Sequence, residues 1–172
     1  MNNLIFVGGI HGVGKGTFCK KVLSKTNSIH LSCSNLIKWT EISSIQNKKV
    51  TNINETQERL ILGLEKAIEN NNKYILDGHF CLLNKENIIS NVPFETFEKI
   101  NPKGIIIISE EVEVIFKRLN LRDNLSYSIE LLQGFQDREI ARAKEVAKKL
   151  KVELFIFKNN FNEALNFIDK KL

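Results

Sequence analysis

The sequence predicts an α/β fold built on a parallel sheet, and three observations carry that expectation. Short apolar runs alternate with helical stretches along the whole chain. The run Gly104-Ile-Ile-Ile-Ile-Ser109 has strand length and no polar residue inside it, as a strand covered on both faces requires. A glycine-rich turn, Gly9 to Thr17, stands between the first strand and the first helix.

The elements follow in order. Leu4 to Gly9 reads as a strand buried on both faces and ended by glycines. Lys15 to Ser24 is helical, Ile29 to Ser32 is a short strand, and Ser34 to Ile45 is a helix. The polar, basic stretch Asn47 to Asn52 is a loop. Asn54 is a good N-cap, and Leu60, Leu64 and Ile68 recur at helical spacing, so a helix runs to Glu69. Lys73 to Asp77 is the next strand, the chain is then irregular to Pro93, and Phe94 to Ile100 is a short helix closed by Asn101-Pro102. After strand Ile105–Ile108 comes a helix, Glu111 to Leu121, with basic residues toward its end, where the helix dipole favours them. A polar break, Asp123 to Ser128, leads into a long helix ending at Leu150. Strand Val152–Phe157 and helix Asn162–Lys171 complete the chain.

At 172 residues the chain has the length of one domain and can bury a core without disulfides or a structural metal. Hydrophobic residues at 42% and charged residues at 26%, with 2 prolines, exclude a disordered or collagen-like chain. No apolar run approaches the roughly 20 residues that cross a bilayer. The N-terminus lacks the pattern of a signal peptide. Cys19, Cys33 and Cys81 are too scattered for a disulfide framework or a zinc site, so a cytoplasmic location is expected. The net charge of +5 hints at an anionic partner. The basic residues are dispersed and not interleaved with aromatics, so neither nucleic acid nor membrane is expected as a partner.

The strongest functional signal is Gly9-Ile-His-Gly-Val-Gly-Lys-Gly-Thr17, which contains the Gly-x4-Gly-Lys core of a phosphate-binding P-loop. It lies where its chemistry demands, after a buried strand and at the opening of a helix. Glycines let backbone N–H groups wrap around phosphate oxygens, and the helix N-terminus adds positive potential. Lys15 adds a full charge that can follow a transferring phosphoryl group. Gly16 replaces the usual hydroxyl residue after the lysine, and the hydroxyl arrives one place later at Thr17.

The ending Gly14-Lys-Gly-Thr17 resembles the P-loop of adenylate kinases and related nucleoside monophosphate kinases. Leu31-Ser-Cys-Ser-Asn-Leu-Ile-Lys38 is similar to that family's monophosphate-binding segment, with Ser32 matching directly and Lys38 standing where the family has arginine. Tyr74-Ile-Leu-Asp-Gly78 is similar to its apolar strand ending in Asp-Gly, but His79-Phe80-Cys81 replaces the Phe-Pro-Arg that follows there. Asn91-Val-Pro93, Asn101-Pro102 and the set Arg118, Arg122-Asp123 look more like the archaeal-type adenylate kinases.

The resemblance implies the three-layer P-loop NTPase fold, with about five parallel strands between helices. It implies one kinase domain over 1–172, with an acceptor-binding insertion at about 33–70 and a short lid at about 122–128. The cofactors implied are ATP and Mg²⁺. The reaction implied is transfer of the γ-phosphate to a nucleoside monophosphate, AMP foremost. Gly9, Gly12, Val13, Gly14, Lys15, Gly16 and Thr17 would hold ATP. Asp77 and Thr17 would hold the metal, Asp77 through water. Lys15, Arg118, Arg122 and Arg138 would act on the transferring phosphoryl group. Ser32, Lys38, Asp77, His79 and Arg142 would meet the acceptor, and Gln57 could read its base edge. His30 reads as structural. The loop Lys158-Asn-Asn160 would lie against the adenine of ATP. A small-metabolite kinase of shikimate or gluconate type, on the same scaffold, and an ATP-dependent switch with little turnover are the alternatives. The oligomeric state stays open.

Overall fold

The computed structural model describes residues 3–43, 53–83, 87–122 and 127–172, and their side chains except at 39–43, 53–55 and 122. Five parallel strands form the central sheet: β1 (Asn3–Gly8), β2 (Ser28–Ser32), β3 (Lys73–Asp77), β6 (Gly104–Ile108) and β7 (Glu153–Phe157). Their order across the sheet is β2-β3-β1-β6-β7. β1 pairs with β3 on one side, Val7 opposite Asp77, and with β6 on the other, Gly8 opposite Ile107. The chain order thus reverses around β1, which opens a crevice at the carboxyl ends of the strands.

Helices α1 (Lys15–Leu23), α5 (Val112–Arg122) and α7 (Phe161–Lys171) cover one face. Helices α3 (Ile53–Ala67), α4 (Phe94–Ile100) and α6 (Ile129–Leu150) cover the other. The period of two along each strand explains how both faces are filled. Ile5, Val7, Ile75, Ile106 and Ile108 join Phe18, Val22, Ile115 and Ile168 in one core. Leu4, Phe6, Tyr74, Leu76, Ile105 and Ile107 join Leu60, Leu64, Phe97 and Val146 in the other. The layers are therefore helix, sheet, helix, as the P-loop fold requires.

Three details differ from the sequence expectations. The stretch between β3 and Pro93 is not wholly irregular, because β4 (Cys81–Leu83) and β5 (Ile89–Asn91) pair antiparallel as a small hairpin. Helix α2 (Cys33–Ser43) follows β2 without a break, and Ile45 lies outside the described residues. Asn54 falls inside α3 rather than before it. By contrast Ser128 does cap α6, its hydroxyl accepting from Leu131 N at 3.1 Å, and Asn160 caps α7 through Glu163 N. Most of the expected lid, 123–126, lies outside the described residues.

Candidate active site

The phosphate loop leaves β1 in a conformation that side chains rarely adopt. Gly9, Gly12 and Gly14 have φ of 145°, 78° and 107°. A Cβ on Gly9 would stand 2.8 Å from Val13 Cγ1 and 3.0 Å from Ile108 O, so the loop cannot relax around a substituent there. Val13 is buried and anchors the loop, its N–H reaching Ile10 O. The loop then runs directly into α1, as the sequence pattern predicts.

A cavity of about 710 Å³ lies over this loop, within the range of ligand sites. Gly12 through Phe18 line it, Lys15, Gly16 and Thr17 included. Lys20, Lys21, Arg118 and Lys158 add positive charge against Asp77 and Glu110, a balance that suits a polyphosphate. Phe157, Phe161 and Phe18 form an aromatic wall, with ring centroids 4.7 Å apart for Phe18 and Phe157. Lys158 and Asn159 line the cavity beside them.

A second cavity, about 380 Å³, opens on the other side of Lys15. Its walls are mostly apolar, with Phe6, Ile37, Leu60, Leu82, Phe97 and Ile100, and its polar contributors include Ser34, Thr56, Gln57, Thr96 and His79. His11, Lys15 and Asp77 line both cavities. A group bound in one cavity therefore meets a group bound in the other at these three side chains.

Lys15 Nζ donates to Gly9 O at 2.6 Å and Ile10 O at 3.3 Å, and stands 3.4 Å from His79 Nε2. Burial lowers its pKa, while the negative fields of Glu139 and Asp77 oppose that shift. Burial, with Lys15 and His11 nearby, holds His79 neutral by pushing its pKa well below the usual histidine value. Asp77 is fixed from both sides: His30 Nε2 is 2.5 Å from Oδ2, and Ser32 Oγ donates to Oδ1 at 3.5 Å. His30 and Ser32 thus orient a carboxylate that faces the phosphate loop.

That arrangement fits Mg²⁺, which takes oxygen donors and keeps much of its water. The Asp77 carboxylate and the exposed Thr17 hydroxyl, both lining the first cavity, are the residues that would hold it. Cys19 Sγ lies within 4.8 Å of the His30 and Asp77 ligand atoms, but burial pushes its thiol up to about 12. The free thiol is therefore protonated and unreactive.

Arg118 reaches the loop from α5. Its Nη1 donates to Gly12 O and Val13 O, each at 3.2 Å, and its Nη2 pairs with Glu110 at 3.0 Å. Arg138 and Arg142 lie elsewhere. Arg138 donates to Asn91 Oδ1 at 3.0 Å and pairs with Glu145. Arg142, nearly buried, pairs with Glu145 and donates to Val92 O at 3.0 Å. Neither lines either cavity, so the helical spacing that grouped these arginines does not bring them to the phosphate loop. Both hold β5 and its exit, from which Val92 enters the wall of the second cavity. Lys38 is exposed on α2 and lines neither cavity, and the Arg122 side chain lies outside the described residues.

Glu139 is the residue that sequence reasoning missed. It is 1% exposed, and its carboxylate accepts from Gly9 N at 3.0 Å, Phe80 N at 2.9 Å and Cys81 N at 2.6 Å. Burial raises its pKa to about 7, against the lowering effect of those N–H groups and Lys15. The signal was present in the periodicity. Leu132, Phe135, Glu139, Ala143 and Val146 recur at helical spacing, and a carboxylate within that apolar stripe must be buried.

Residues 8–132 match the AAA domain family. The chain is 32% identical over 160 residues to UMP-CMP kinase 3 of Arabidopsis thaliana, a match covering 88% of this chain and 70% of that protein. The chain belongs to the P-loop kinases of this family. Among solved structures it is similar to a gluconokinase from Sinorhizobium meliloti 1021, with TM-score 0.56 and 11% identity over 96% of this chain and 91% of the other. It is also similar to a kinase from Chloroflexus aurantiacus J-10-fl, with TM-score 0.58 and 14% identity over 99% and 98%. At these identities the structural likenesses show the shared fold. Among the described residues, no helix of this P-loop kinase is long and apolar enough to cross a membrane.

Proposed function

We propose that the chain is a nucleoside monophosphate kinase that transfers the γ-phosphate of Mg·ATP to a nucleoside monophosphate, with AMP as the foremost acceptor. The observation that carries this reading is the meeting of two cavities at Lys15, Asp77 and His11, one basic and phosphate-sized in its loop, the other apolar enough for a base. The name of the Arabidopsis relative sets UMP and CMP beside AMP as acceptors. A polyol acid, as in a gluconate or shikimate kinase, would leave many hydroxyls against the Phe6, Phe97 and Ile100 walls, at a desolvation cost.

The roles follow from place. Gly12 to Thr17 would hold the ATP phosphates, and Gly9 would fix the start of the loop. Thr17 and Asp77 would hold Mg²⁺, which when bound neutralises charge on the β- and γ-phosphates. An oxygen of the acceptor phosphate forms a bond to the γ-phosphorus, the bond to the bridging oxygen breaks, and ADP leaves with that electron pair. An ionised phosphate needs no general base, so neutral His79 orients rather than deprotonates. Lys15 and Arg118 would stabilise the charge on the moving group. Ser32 would act through Asp77 and Arg142 through Val92. Lys38 and Arg122 are the cations assigned to the acceptor phosphate on closure. The whole chain, 1–172, would form one domain, with 33–70 covering the acceptor and 122–128 acting as a short lid. The archaeal-type features belong to the same proposal, as does a cytoplasmic location.

Chromatography of products tests it, with Mg·ATP and a panel of AMP, dAMP, CMP, UMP, GMP, dTMP, gluconate and shikimate, and Lys15→Ala as control. Conversion of a monophosphate to its diphosphate, lost in the control, is expected. Phosphorylation of a sugar acid alone, or of no acceptor at all, would overturn the reading.

A further inference from the structure

Helix α6 sends a row of polar side chains, three residues apart, into the loops at the carboxyl edge of the sheet. Gln136 exchanges two hydrogen bonds with the backbone of Glu110, at 2.9 and 3.1 Å. Glu139 takes Gly9 N, Phe80 N and Cys81 N. Arg142 donates to Val92 O. Gly9 begins the phosphate loop, whereas Phe80 and Cys81 follow Asp77 and His79 on the acceptor side. One carboxylate therefore spans both halves of the site, and its Oε1 is shared between Gly9 N and Phe80 N. The same oxygen lies 3.9 Å from His79 Nδ1, behind the ring that faces Lys15.

Resting on the kinase reading above, we infer that Glu139 is a positioning residue: it sets the distance between the ATP phosphates and the acceptor phosphate, and ties that distance to α6. Three N–H groups converging on one buried carboxylate from two loops make a stiff joint, because charge-assisted hydrogen bonds are short and directional. Every acceptor here is an oxygen, so an amide in its place turns one donor toward Cys81 N and loses that contact. The spacing of the two loops then loosens without any loss of core volume. In-line transfer depends steeply on such spacing.

The test uses the full chain carrying Glu139→Gln, with Glu139→Asp as a second variant that keeps the charge but is one methylene too short for all three amides. Measured at pH 7.5 are the melting temperature, the Kd of a fluorescent ATP analogue, kcat, both KM values, and the amide shifts of Gly9, Phe80 and Cys81. A positioning role lowers kcat roughly tenfold or more in both variants, as the loss of comparable orienting partners does, while Glu139→Gln melts no lower than wild type. Analogue Kd rises about threefold, the scale of one lost hydrogen bond, and all three amides move upfield together. Wild-type kcat and Kd in a folded variant overturn the inference. So does a drop in melting temperature that alone accounts for lost activity. If the wild type phosphorylates no acceptor, the kinase reading fails by itself, and the analogue affinity and the three amide shifts still decide the role of Glu139.

Discussion

Glu139 also allows a stability prediction of definite sign. Its carboxyl titrates at about 7 in the folded chain, against 4.5 for an ordinary glutamate, and burial is the largest cause. Below about pH 4.5 both folded and unfolded chains hold the proton, and the full stability is present. Between the two values the folded chain keeps a proton that the unfolded chain has released, so unfolding becomes easier as pH rises. Above pH 7 the folded chain carries a buried charge, and the accumulated loss is about 3 kcal/mol. The Lys15 ammonium and the N–H groups of Phe80, Cys81 and Gly9 act against this shift but do not reverse the sign, because burial outweighs them. Glu139→Gln removes the ionisation at nearly the same side-chain volume. Relative to wild type the variant should therefore gain about 3 kcal/mol between pH 4.5 and 7 and no more beyond. For a chain of this size that corresponds to roughly 6–12 °C in melting temperature. Urea denaturation followed by circular dichroism at pH 5, 6, 7 and 8 would measure it. A gap between variant and wild type that is flat with pH, or that shrinks as pH rises, would refute the reasoning.

Five further substitutions probe separate features. Gly9→Ala should destabilise by about 1–3 kcal/mol and abolish nucleotide binding, because its φ and the nearby Ile108 carbonyl leave no room. Gly16→Ala, with nothing within 4 Å of the added methyl, should fold at least as well as wild type; thermal melts of the pair check this. Gln57→Leu should raise KM for the acceptor and leave that for ATP unchanged, since Gln57 lines the second cavity and not the first; steady-state kinetics with each substrate varied would show it. Arg118→Ala should lower kcat about 100-fold, as loss of a donor to developing charge does. Arg138→Ala should leave kcat near wild type, because Arg138 lines neither cavity whereas Arg118 lines the first; parallel rate measurements decide between them.

The parts of the site that were legible in the sequence are local ones. The phosphate loop needs glycines at fixed offsets, a lysine and a helix start, all within nine residues, so no long-range contact decides it. Asp77 was legible because an apolar strand ending in Asp-Gly places a carboxylate at the carboxyl edge of the sheet. The rest depended on packing between distant segments. Cys81–Leu83 and Ile89–Asn91 are too short to show a period, so their hairpin was invisible. Arg138 and Arg142 share a helix face by spacing, but which loops that face meets is set by how α6 lies on the sheet. His30 looked structural and is, yet what it holds is Asp77, across 47 positions of sequence. Glu139 joins residues 130 and 59 positions away, and only its intrusion into an apolar stripe pointed to it.

The present position of Lys15 bears on when Glu139 matters most. The ammonium is satisfied by two neutral carbonyls of the loop, Gly9 O and Ile10 O. An anionic phosphate is a stronger acceptor than a peptide carbonyl, so ATP draws the ammonium away from them. The Gly9 peptide then loses its contact on the carbonyl side and keeps the one on its N–H side, to Glu139. The carboxylate becomes the remaining tether of the loop's first residue at the moment when the loop carries its ligand. A defect at Glu139 should for that reason be felt most in the ATP-bound chain, on nucleotide affinity as well as on the rate of transfer. It also gives a physical reason for a charge to persist where a neutral amide would make the fold more stable.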